Sequence, residues 1–132
     1  TASGVMITRD PFDVGRRYAS YIAAKRGIGI RVVDGKRVAE QILYNSRSKA
    51  VQVLNRSDDN VALQLDNAGG VREVPVAAGR AVLSDELVQR LARAGAGIKQ
   101  RFGGRDQDIE WAVQGDQLII LQSRPFISAP GR

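Results

Sequence analysis

A hairpin pattern over residues 108–124 constrains the fold more than any other feature of the sequence. Apolar residues occupy odd positions from Ile109 to Val113, polar or small residues occupy the even ones, and Gly115 opens a short polar interruption before a second apolar run. A period of two indicates a half-buried β-strand, and a glycine between two such segments is typical of a hairpin turn. The segment therefore predicts two antiparallel strands with one face on a core.

The register of this hairpin decides which polar residues share a face. A three-residue turn over residues 115–117 sets Glu110 opposite Gln122. The same register sets Asp108 opposite Arg124, so that all four polar side chains lie on one face of the hairpin. We expect this register.

The opposite face of the predicted hairpin is apolar and ends at Ser123. Its expected members are Ile109, Trp111, Val113, Ile119 and Leu121. A two-residue turn at Gly115-Asp116 would instead set Glu110 against Leu121 and divide the polar groups between the two faces. The three-residue turn is the better prediction because it keeps the polar groups together.

The polar face has the ligand chemistry of a magnesium and phosphate site. Oxygen ligands from Glu110 and Gln122 suit a magnesium ion that keeps several waters and shares its coordination with substrate phosphates. Asp108 is a candidate for a second ion or a bridging water. The forked guanidinium of Arg124 can hold a terminal phosphate and neutralise charge during its transfer. A plain surface hairpin with one Asp/Arg pair explains the alternation equally well, because such pairs are common.

Several segments resemble one known family. Residues 108–111, Asp-Ile-Glu-Trp, and 122–125, Gln-Ser-Arg-Pro, are similar to the C-terminal strands of the nucleotide-binding domain in the phosphoenolpyruvate synthase and pyruvate phosphate dikinase family. Residues 3–11 resemble that family's Ser-Gly-Val-Met-Phe-Thr-Arg-Asp-Pro strand, Ser48-Lys49 resembles its Gly-Ser-Lys element, and residues 83–86 open a similar helix. The resemblance extends over nearly the whole chain.

The resemblance implies one subdomain of an ATP-grasp fold that uses Mg²⁺ and ATP. Carried over by position, it implies magnesium-ATP contacts for Glu110 and Gln122. It also implies a further metal-site carboxylate at Asp108 and a γ-phosphate contact for Arg124, the residue expected to be catalytic. One departure lies at residues 27–30, where Gly-Ile-Gly-Ile stands in place of the family's Gly-Leu-Gly-Glu, so that the acidic residue is missing.

The resemblance further implies a larger phosphotransferase. In such enzymes ATP lies between two lobes, and the N-terminal lobe, with its lysine and arginine contacts, would precede Thr1. Phosphate passes through a phosphohistidine on a separate domain, whereas this sequence contains no histidine. We therefore expect ATP, the N-terminal lobe and the phosphohistidine domain as partners, and an inactive isolated chain. Pyruvate, phosphate, water, a glucan or an antibiotic are all compatible acceptors. The alternative is a non-catalytic binding or interaction module, which Ile30 supports.

Composition excludes several other classes of protein. The chain has 132 residues, 43% of them hydrophobic, which suits one globular domain, and it has no apolar run that could cross a bilayer. Without cysteine it has neither disulfides nor thiolate metal sites, and without a targeting segment the expected location is the cytoplasm. The net charge of +6 is scattered, and no nucleic-acid-binding motif occurs, so we expect neither a nucleic-acid nor a membrane partner.

The remaining pattern predicts further strands and one helix. Strands are expected at residues 5–8 and 18–24, and two hairpins at 37–55 and 61–76. A helix at 84–102 has Ser84 as its N-cap, acidic residues in its first turn and an apolar stripe. The stripe comprises Leu87, Leu91, Ala94, Ile98 and Phe102. We expect an α+β fold in which a mostly antiparallel sheet is backed by this helix, with one domain at 1–127 and a linker at 128–132.

Overall fold

The structure, a computed structural model, describes residues 2–13, 15–16, 18–27, 39–55, 61–65, 68–75 and 82–127, with the backbone alone for 61–65 and 71–75. These residues contain eight strands and one helix. The strands are β1 (Ala2–Ile7), β2 (Ala19–Arg26), β3 (Glu40–Asn45), β4 (Val51–Asn55), β5 (Val61–Leu65), β6 (Val71–Pro75), β7 (Gln107–Gln114) and β8 (Gln117–Pro125). The helix is α1 (Asp85–Arg101).

Six of the strands form one antiparallel sheet in the order β4-β3-β2-β1-β7-β8, and β5 pairs with β6 in a separate two-stranded sheet. Strand β1 is central because it pairs with β2 on one side and with β7 on the other. The C-terminal hairpin therefore joins the sheet built by the first strands of the chain. The arrangement confirms the predicted α+β class and the mostly antiparallel sheet.

Both predicted internal hairpins are present among the described residues. Strands β3 and β4 form the first, and β5 and β6 form the second. Gly69 and Gly70, between β5 and β6, have φ values of 98° and 75°, which glycine adopts without strain. Residues 37–38, 66–67 and 76, which the predictions included, lie outside the described residues.

Helix α1 begins where its capping residue predicts. The Ser84 side chain accepts a hydrogen bond from the Leu87 backbone N–H at 3.2 Å, and the chain leaves the helix at Phe102, before Gly103-Gly104. In the predicted apolar stripe, Leu91 is buried in the core and Leu87 and Ile98 are partly buried against it, whereas Phe102 is exposed. The stripe is wrong at Phe102 because the helix ends there.

The main core lies between α1 and one face of the six-stranded sheet. Its fully buried side chains come from the helix and from four strands: Met6, Ile22, Ile42, Val88, Leu91, Ile109 and Trp111. Gly95 lets the helix approach closely, since a Cβ atom there would lie 2.9 Å from Cε of Met6 and 3.3 Å from Cγ2 of Thr8. This close packing explains why a glycine occurs inside the helix at this position.

A second, smaller apolar cluster lies on the opposite face of the sheet. Tyr21, Ala23 and Leu43 are buried there, and Val5 and Ile7 pack against them. Because paired residues share a face, Val5 places Glu110 of β7 on this face as well. This second face therefore carries the polar residues of the C-terminal hairpin.

Two features of the sequence lie outside the described residues. One is the Gly-Ile-Gly-Ile segment beyond Gly27, including Ile30, and the other is the expected linker at 128–132. Within the part of the chain that the structure describes, no helix is long and apolar enough to cross a membrane.

Candidate functional site

The C-terminal hairpin brings the four predicted polar residues together. Glu110 pairs with Gln122 and Asp108 pairs with Arg124 across β7 and β8. Each pair occupies directly opposite positions, and the two pairs are two residues apart along each strand, so all four side chains lie on one face. The predicted pairing of these residues is confirmed.

The turn that produces this pairing differs from the prediction. Gln114 pairs with Gln117, which leaves Gly115-Asp116 as a two-residue turn rather than the expected three residues. Gly115 has φ of 59°, as the first position of a tight hairpin turn favours. A two-residue turn by itself would set Glu110 opposite Leu121.

A β-bulge restores the polar register. The pairing shifts between Glu110 and Trp111, because Trp111 pairs with Ile120 and Glu110 pairs with Gln122, leaving Leu121 as an extra residue in β8. A bulge inserts one residue into one strand and adds to the local twist. The extra residue in the bulge therefore compensates for the turn being one residue shorter than predicted, and Glu110 still lies opposite Gln122.

The same bulge corrects the expected apolar face of β8. Ile109, Trp111 and Val113 are buried as predicted, but Leu121 is 56% exposed at the bulge. Ile119 pairs with Ala112 and so lies on the polar face, whereas Leu118, paired with Val113, packs against the core. The prediction that Ile119 and Leu121 face the core is wrong. The shorter turn moves each residue between the turn and the bulge to the opposite face, and Leu121 is the extra residue of the bulge.

The four polar side chains line a common cavity of about 130 Å³ together with Val5. Glu110, Gln122 and Arg124 are exposed and Asp108 is half-buried, so all of them are accessible to a ligand in solution. Val5 belongs to the central strand and forms the apolar side of the cavity. Sequence reasoning missed Val5 because its position beside Glu110 depends on strand order.

Asp108 and Arg124 form the ion pair of the site. Oδ2 of Asp108 lies 3.3 Å from Nη2 and 3.4 Å from Nε of Arg124, and the two side chains are 28% and 69% exposed. An exposed pair of this kind contributes little to stability, on the order of 0–1 kcal/mol. Its effect is to orient the guanidinium, which has five N–H donors and can therefore bind a phosphate in addition to Asp108.

A buried hydrogen-bond network holds the two strands together behind the site. The Gln107 side chain is fully buried, its Oε1 accepts a hydrogen bond from the Ser123 hydroxyl at 3.0 Å, and its Nε2 donates to the Arg105 carbonyl at 3.2 Å. The Gln107 backbone N–H donates to the Thr8 hydroxyl at 2.8 Å, which links β7 to the end of β1. The signal that sequence reasoning missed was an amide at an odd, core-facing position directly before Asp108.

A pair of aromatic side chains lies on the same face of the sheet as the site, on the far side of β1. The ring of Phe12 meets that of Tyr21 edge to face, with 5.5 Å between their centroids, and Phe12 is otherwise exposed. Burial raises the pKa of the Tyr21 hydroxyl, and a hydrogen bond from Gln41 at 2.8 Å opposes part of that rise. Tyr21 pairs with Ile7, which pairs in turn with Asp108, so one strand separates the aromatic pair from the charged residues.

The Ser48-Lys49 element is exposed in the turn between β3 and β4, with φ of 62° at Lys49. Lys49 does not line the cavity that the hairpin residues share. Among the described residues, the structure thus brings together Asp108, Glu110, Gln122 and Arg124, and Lys49 lies apart from them.

Nearly the whole chain matches a known protein family. Residues 1–130 match the family described as pyruvate phosphate dikinase, AMP/ATP-binding domain.

The chain belongs to this family.

Individual relatives of this AMP/ATP-binding domain agree with the match. The chain is 36% identical over 128 residues to the rifampicin phosphotransferase of Streptomyces sviceus, covering 95% of this chain and 14% of that protein. It is 30% identical over 126 residues to a probable phosphoenolpyruvate synthase of Archaeoglobus fulgidus, covering 94% of this chain and 16% of that protein. The resemblance seen in the sequence is confirmed, and the chain spans about one seventh of the length of these relatives.

A third relative widens the range of associated activities. The chain is 32% identical over 128 residues to the prodigiosin synthesizing transferase PigC of Serratia marcescens, covering 95% of this chain and 14% of that protein. The chain is therefore similar to proteins whose names refer to different compounds, namely rifampicin, phosphoenolpyruvate and prodigiosin.

The residues on the polar face fit magnesium only in the presence of a nucleotide. Among the described residues, no group of three or more histidine, cysteine, aspartate or glutamate side chains could hold a metal ion. Asp108, Glu110 and the Gln122 amide offer hard oxygen atoms, but too few for a complete coordination shell. Magnesium commonly accepts one or two carboxylates and completes its shell with water and phosphate oxygens. The donor set suits an ion that arrives with ATP.

Proposed function

We propose that this chain is the magnesium- and ATP-binding subdomain, with an ATP-grasp fold, of a larger ATP-dependent phosphotransferase. The observation that carries the proposal is the common cavity lined by Asp108, Glu110, Gln122 and Arg124 in a chain of the AMP/ATP-binding family. The larger enzyme would pass phosphate from ATP through a phosphohistidine to an acceptor such as pyruvate. Residues 1–127 would form the subdomain and 128–132 would lead into the next part of the enzyme.

Each polar residue has a separate role in the proposed site. Glu110 and Gln122 bind magnesium through side-chain oxygens at directly opposite positions of β7 and β8, next to the bulge. Asp108 contributes a further oxygen near the metal and orients Arg124 through their ion pair. Bound Mg-ATP supplies the phosphoryl group and a cation that partly neutralises it.

Arg124 is the proposed catalytic residue. Its guanidinium is oriented by Asp108 but largely exposed, so it can reach the terminal phosphate of a nucleotide bound over this face. A fixed positive charge at the transferring phosphoryl group lowers the barrier because the negative charge is redistributed in the transition state. Cations on only one side of the phosphates would position them poorly, so the isolated chain should not catalyse transfer.

The proposal is tested by two conservative substitutions in the complete protein that carries this chain. Glu110→Gln keeps size but removes the anionic ligand, so the magnesium concentration for half-maximal turnover should rise about tenfold or more. Arg124→Lys keeps the charge but loses the planar fork, so kcat should fall about 10- to 100-fold with a smaller change in ATP affinity. Steady-state kinetics with varied magnesium and ATP measure both effects.

Matched control variants make the result specific. Asp116→Asn makes the same carboxylate-to-amide change in the exposed turn of the same hairpin, and Arg93→Lys makes the same change on the exposed side of α1. Both controls should retain wild-type kinetics. Wild-type rates in Glu110→Gln and Arg124→Lys would eliminate the assigned roles.

A non-catalytic binding module is the second candidate. It is favoured by Ile30, which stands where the family pattern has an acidic residue. Such a module should bind nucleotide in calorimetry without phosphate transfer, and the complete protein should form no phosphohistidine with Mg-ATP. Detection of a phosphohistidine by ³¹P NMR would exclude this second candidate.

A further inference from the structure

A larger cavity lies on the helix-covered side of the sheet and shares no lining residue with the hairpin cavity. Its volume is about 440 Å³, within the range of about 300–1,000 Å³ that is usual for small-molecule sites. Alanines at positions 19, 92 and 96 line it, so helix and strand contribute methyl groups where larger side chains would fill the space. The concavity therefore results from the sequence of α1 and β2.

The lining of this cavity is rich in cationic and hydroxyl groups. Arg9, Arg16 and Lys99 contribute positive charge, and Asp106 is the one carboxylate among the described lining residues. Lys99 lies 2.8 Å from Asp106, and Arg16 lies 3.5 Å from Asp10, outside the lining. Hydroxyl groups come from Thr8, Tyr18, Ser20 and Ser46. Positive charge exceeds negative charge in the lining even with both ion pairs formed.

The lining of the cavity includes an aromatic residue whose backbone is held by hydrogen bonds. Tyr18 has φ of 63°, which is unusual for a bulky residue, and its carbonyl accepts hydrogen bonds from the backbone N–H and the hydroxyl of Ser46 at 2.8 and 3.1 Å. The guanidinium carbon of Arg47 lies 5.5 Å from the centre of the Tyr18 ring. The hydrogen bonds hold the Tyr18 backbone, and the residue remains about half exposed.

We propose that this cavity binds a small phosphate monoester, as a second site separate from the nucleotide site. Arginine and lysine groups match the charge and the acceptor geometry of a phosphate, and the hydroxyls of Tyr18 and Ser20 can donate to it. The hydroxyls of Thr8 and Ser46 already donate to Asp106 and to the Tyr18 carbonyl. The alanine methyl groups and the Tyr18 ring face the organic part of the ligand. The ligand competes with Asp106 for Lys99, so binding rearranges an ion pair that is present without the ligand.

Calorimetry with glycerol 3-phosphate in magnesium-free buffer, on the complete protein that carries this chain, tests the proposal. We expect saturable binding that glycerol does not reproduce. Lys99→Ala and Arg16→Ala should each weaken it about tenfold, because each removes one charge-assisted contact. Ala96→Leu should reduce it at least tenfold by filling the cavity, without changing the charge.

Two controls on the same helix isolate the cavity from general effects on charge or size. Arg93→Ala removes a positive charge and Gln100→Leu introduces the same leucine, both at exposed positions that do not line the cavity. Both should bind as the wild type does. Since Ala96 is exposed, Ala96→Leu should fold even if Lys99→Ala does not, and thermal unfolding verifies this.

Three results would overturn the proposal. The first is no saturable binding by the wild type, and the second is unchanged binding by Ala96→Leu and Lys99→Ala. The third is loss of binding in Arg124→Ala, which would assign the phosphate to the hairpin cavity. Because magnesium and ATP are absent, the result does not depend on whether the proposed nucleotide site is correct.

Discussion

The two faces of the six-stranded sheet use the same strands for different purposes. On the helix-covered face, side chains such as Met6, Ile22 and Trp111 are completely buried. On the other face a small cluster around Tyr21 and Leu43 gives way, toward the C-terminal hairpin, to exposed charged and amide groups. Strand β7 contributes to both, with its odd residues in the core and Asp108 and Glu110 at the site. Alternation thus places functional groups next to stabilising ones without burying the functional groups.

The largest expected contrast between the faces is at adjacent residues of β7. Trp111→Ala should lower the free energy of unfolding by about 3–5 kcal/mol, because it empties a fully buried position under α1. Glu110→Ala, one residue away on the exposed face, should change it by no more than about 0.5 kcal/mol. Urea unfolding followed by fluorescence or circular dichroism measures both. Similar losses of stability in the two variants would show that the two faces do not differ in their contribution to folding.

The next contrast concerns the buried amide behind the site. Gln107→Leu should cost about 1–3 kcal/mol, because it leaves the Ser123 hydroxyl and the Arg105 carbonyl without this partner. It should also weaken magnesium binding in the presence of ATP, since the network fixes β8 against β7. Gln114→Leu, at the exposed end of the same strand, is the matched control and should do neither. Unaltered metal affinity in Gln107→Leu would limit the network to a structural role.

A smaller difference in stability is expected between substitutions at two glycines of α1, one facing solvent and one facing the sheet. Gly97→Ala should stabilise the protein by about 1 kcal/mol, because nothing lies within 4 Å of the added methyl group and alanine is the better helix former. Gly95→Ala should lack this gain, since its methyl group would meet Met6 and Thr8 on the sheet. Thermal unfolding of the two variants gives the comparison directly. An equal gain at both positions would mean that Gly95 is not closely packed against Met6 and Thr8.

The smallest expected effect is a dependence of stability on pH that comes from Tyr21. Burial raises its pKa in the folded protein above that of the unfolded chain, so its contribution is present below about pH 10 and is lost as pH rises through the folded-state value. Between pH 10 and 10.5 the resulting loss in the free energy of unfolding is at most about 0.7 kcal/mol, the limit for a difference of one bound proton between the folded and unfolded states. Tyr21→Phe should therefore lose less stability over that interval than the wild type. The attribution to Tyr21 would be wrong if the free energy of unfolding of both proteins changed equally with pH over that interval.

The sequence predicts the pairing at the site but not the geometry that achieves it. Glu110 and Gln122 are twelve positions apart, and this spacing fits either a three-residue turn or a two-residue turn with one bulged residue. The alternation of β7 is regular, whereas four apolar residues in succession from Leu118 carry no clear period. The structure has the second solution, in which Leu118 pairs with Val113 and packs against the core. This tertiary contact is not visible in the local sequence pattern.

Contacts between distant segments form the other part that sequence reasoning could not supply. Val5 reaches the site because β1 is inserted between β2 and β7, an order that hydrophobic periodicity does not encode. The same holds for the Thr8 hydroxyl that accepts from Gln107 across 99 positions of sequence. The helix, by contrast, was predictable almost to its end residues, because its cap and its stripe are local signals.

The bulge at Leu121 also affects how the protein meets other copies of itself. Strand β8 is the outer strand of its sheet, and Ile119, Ile120 and Leu121 are all substantially exposed along it. A flat edge of this composition is a template for intermolecular strand pairing and aggregation. By interrupting the regular ladder in the middle of that apolar run and twisting the strand, the extra residue makes the edge a poor match for a second strand.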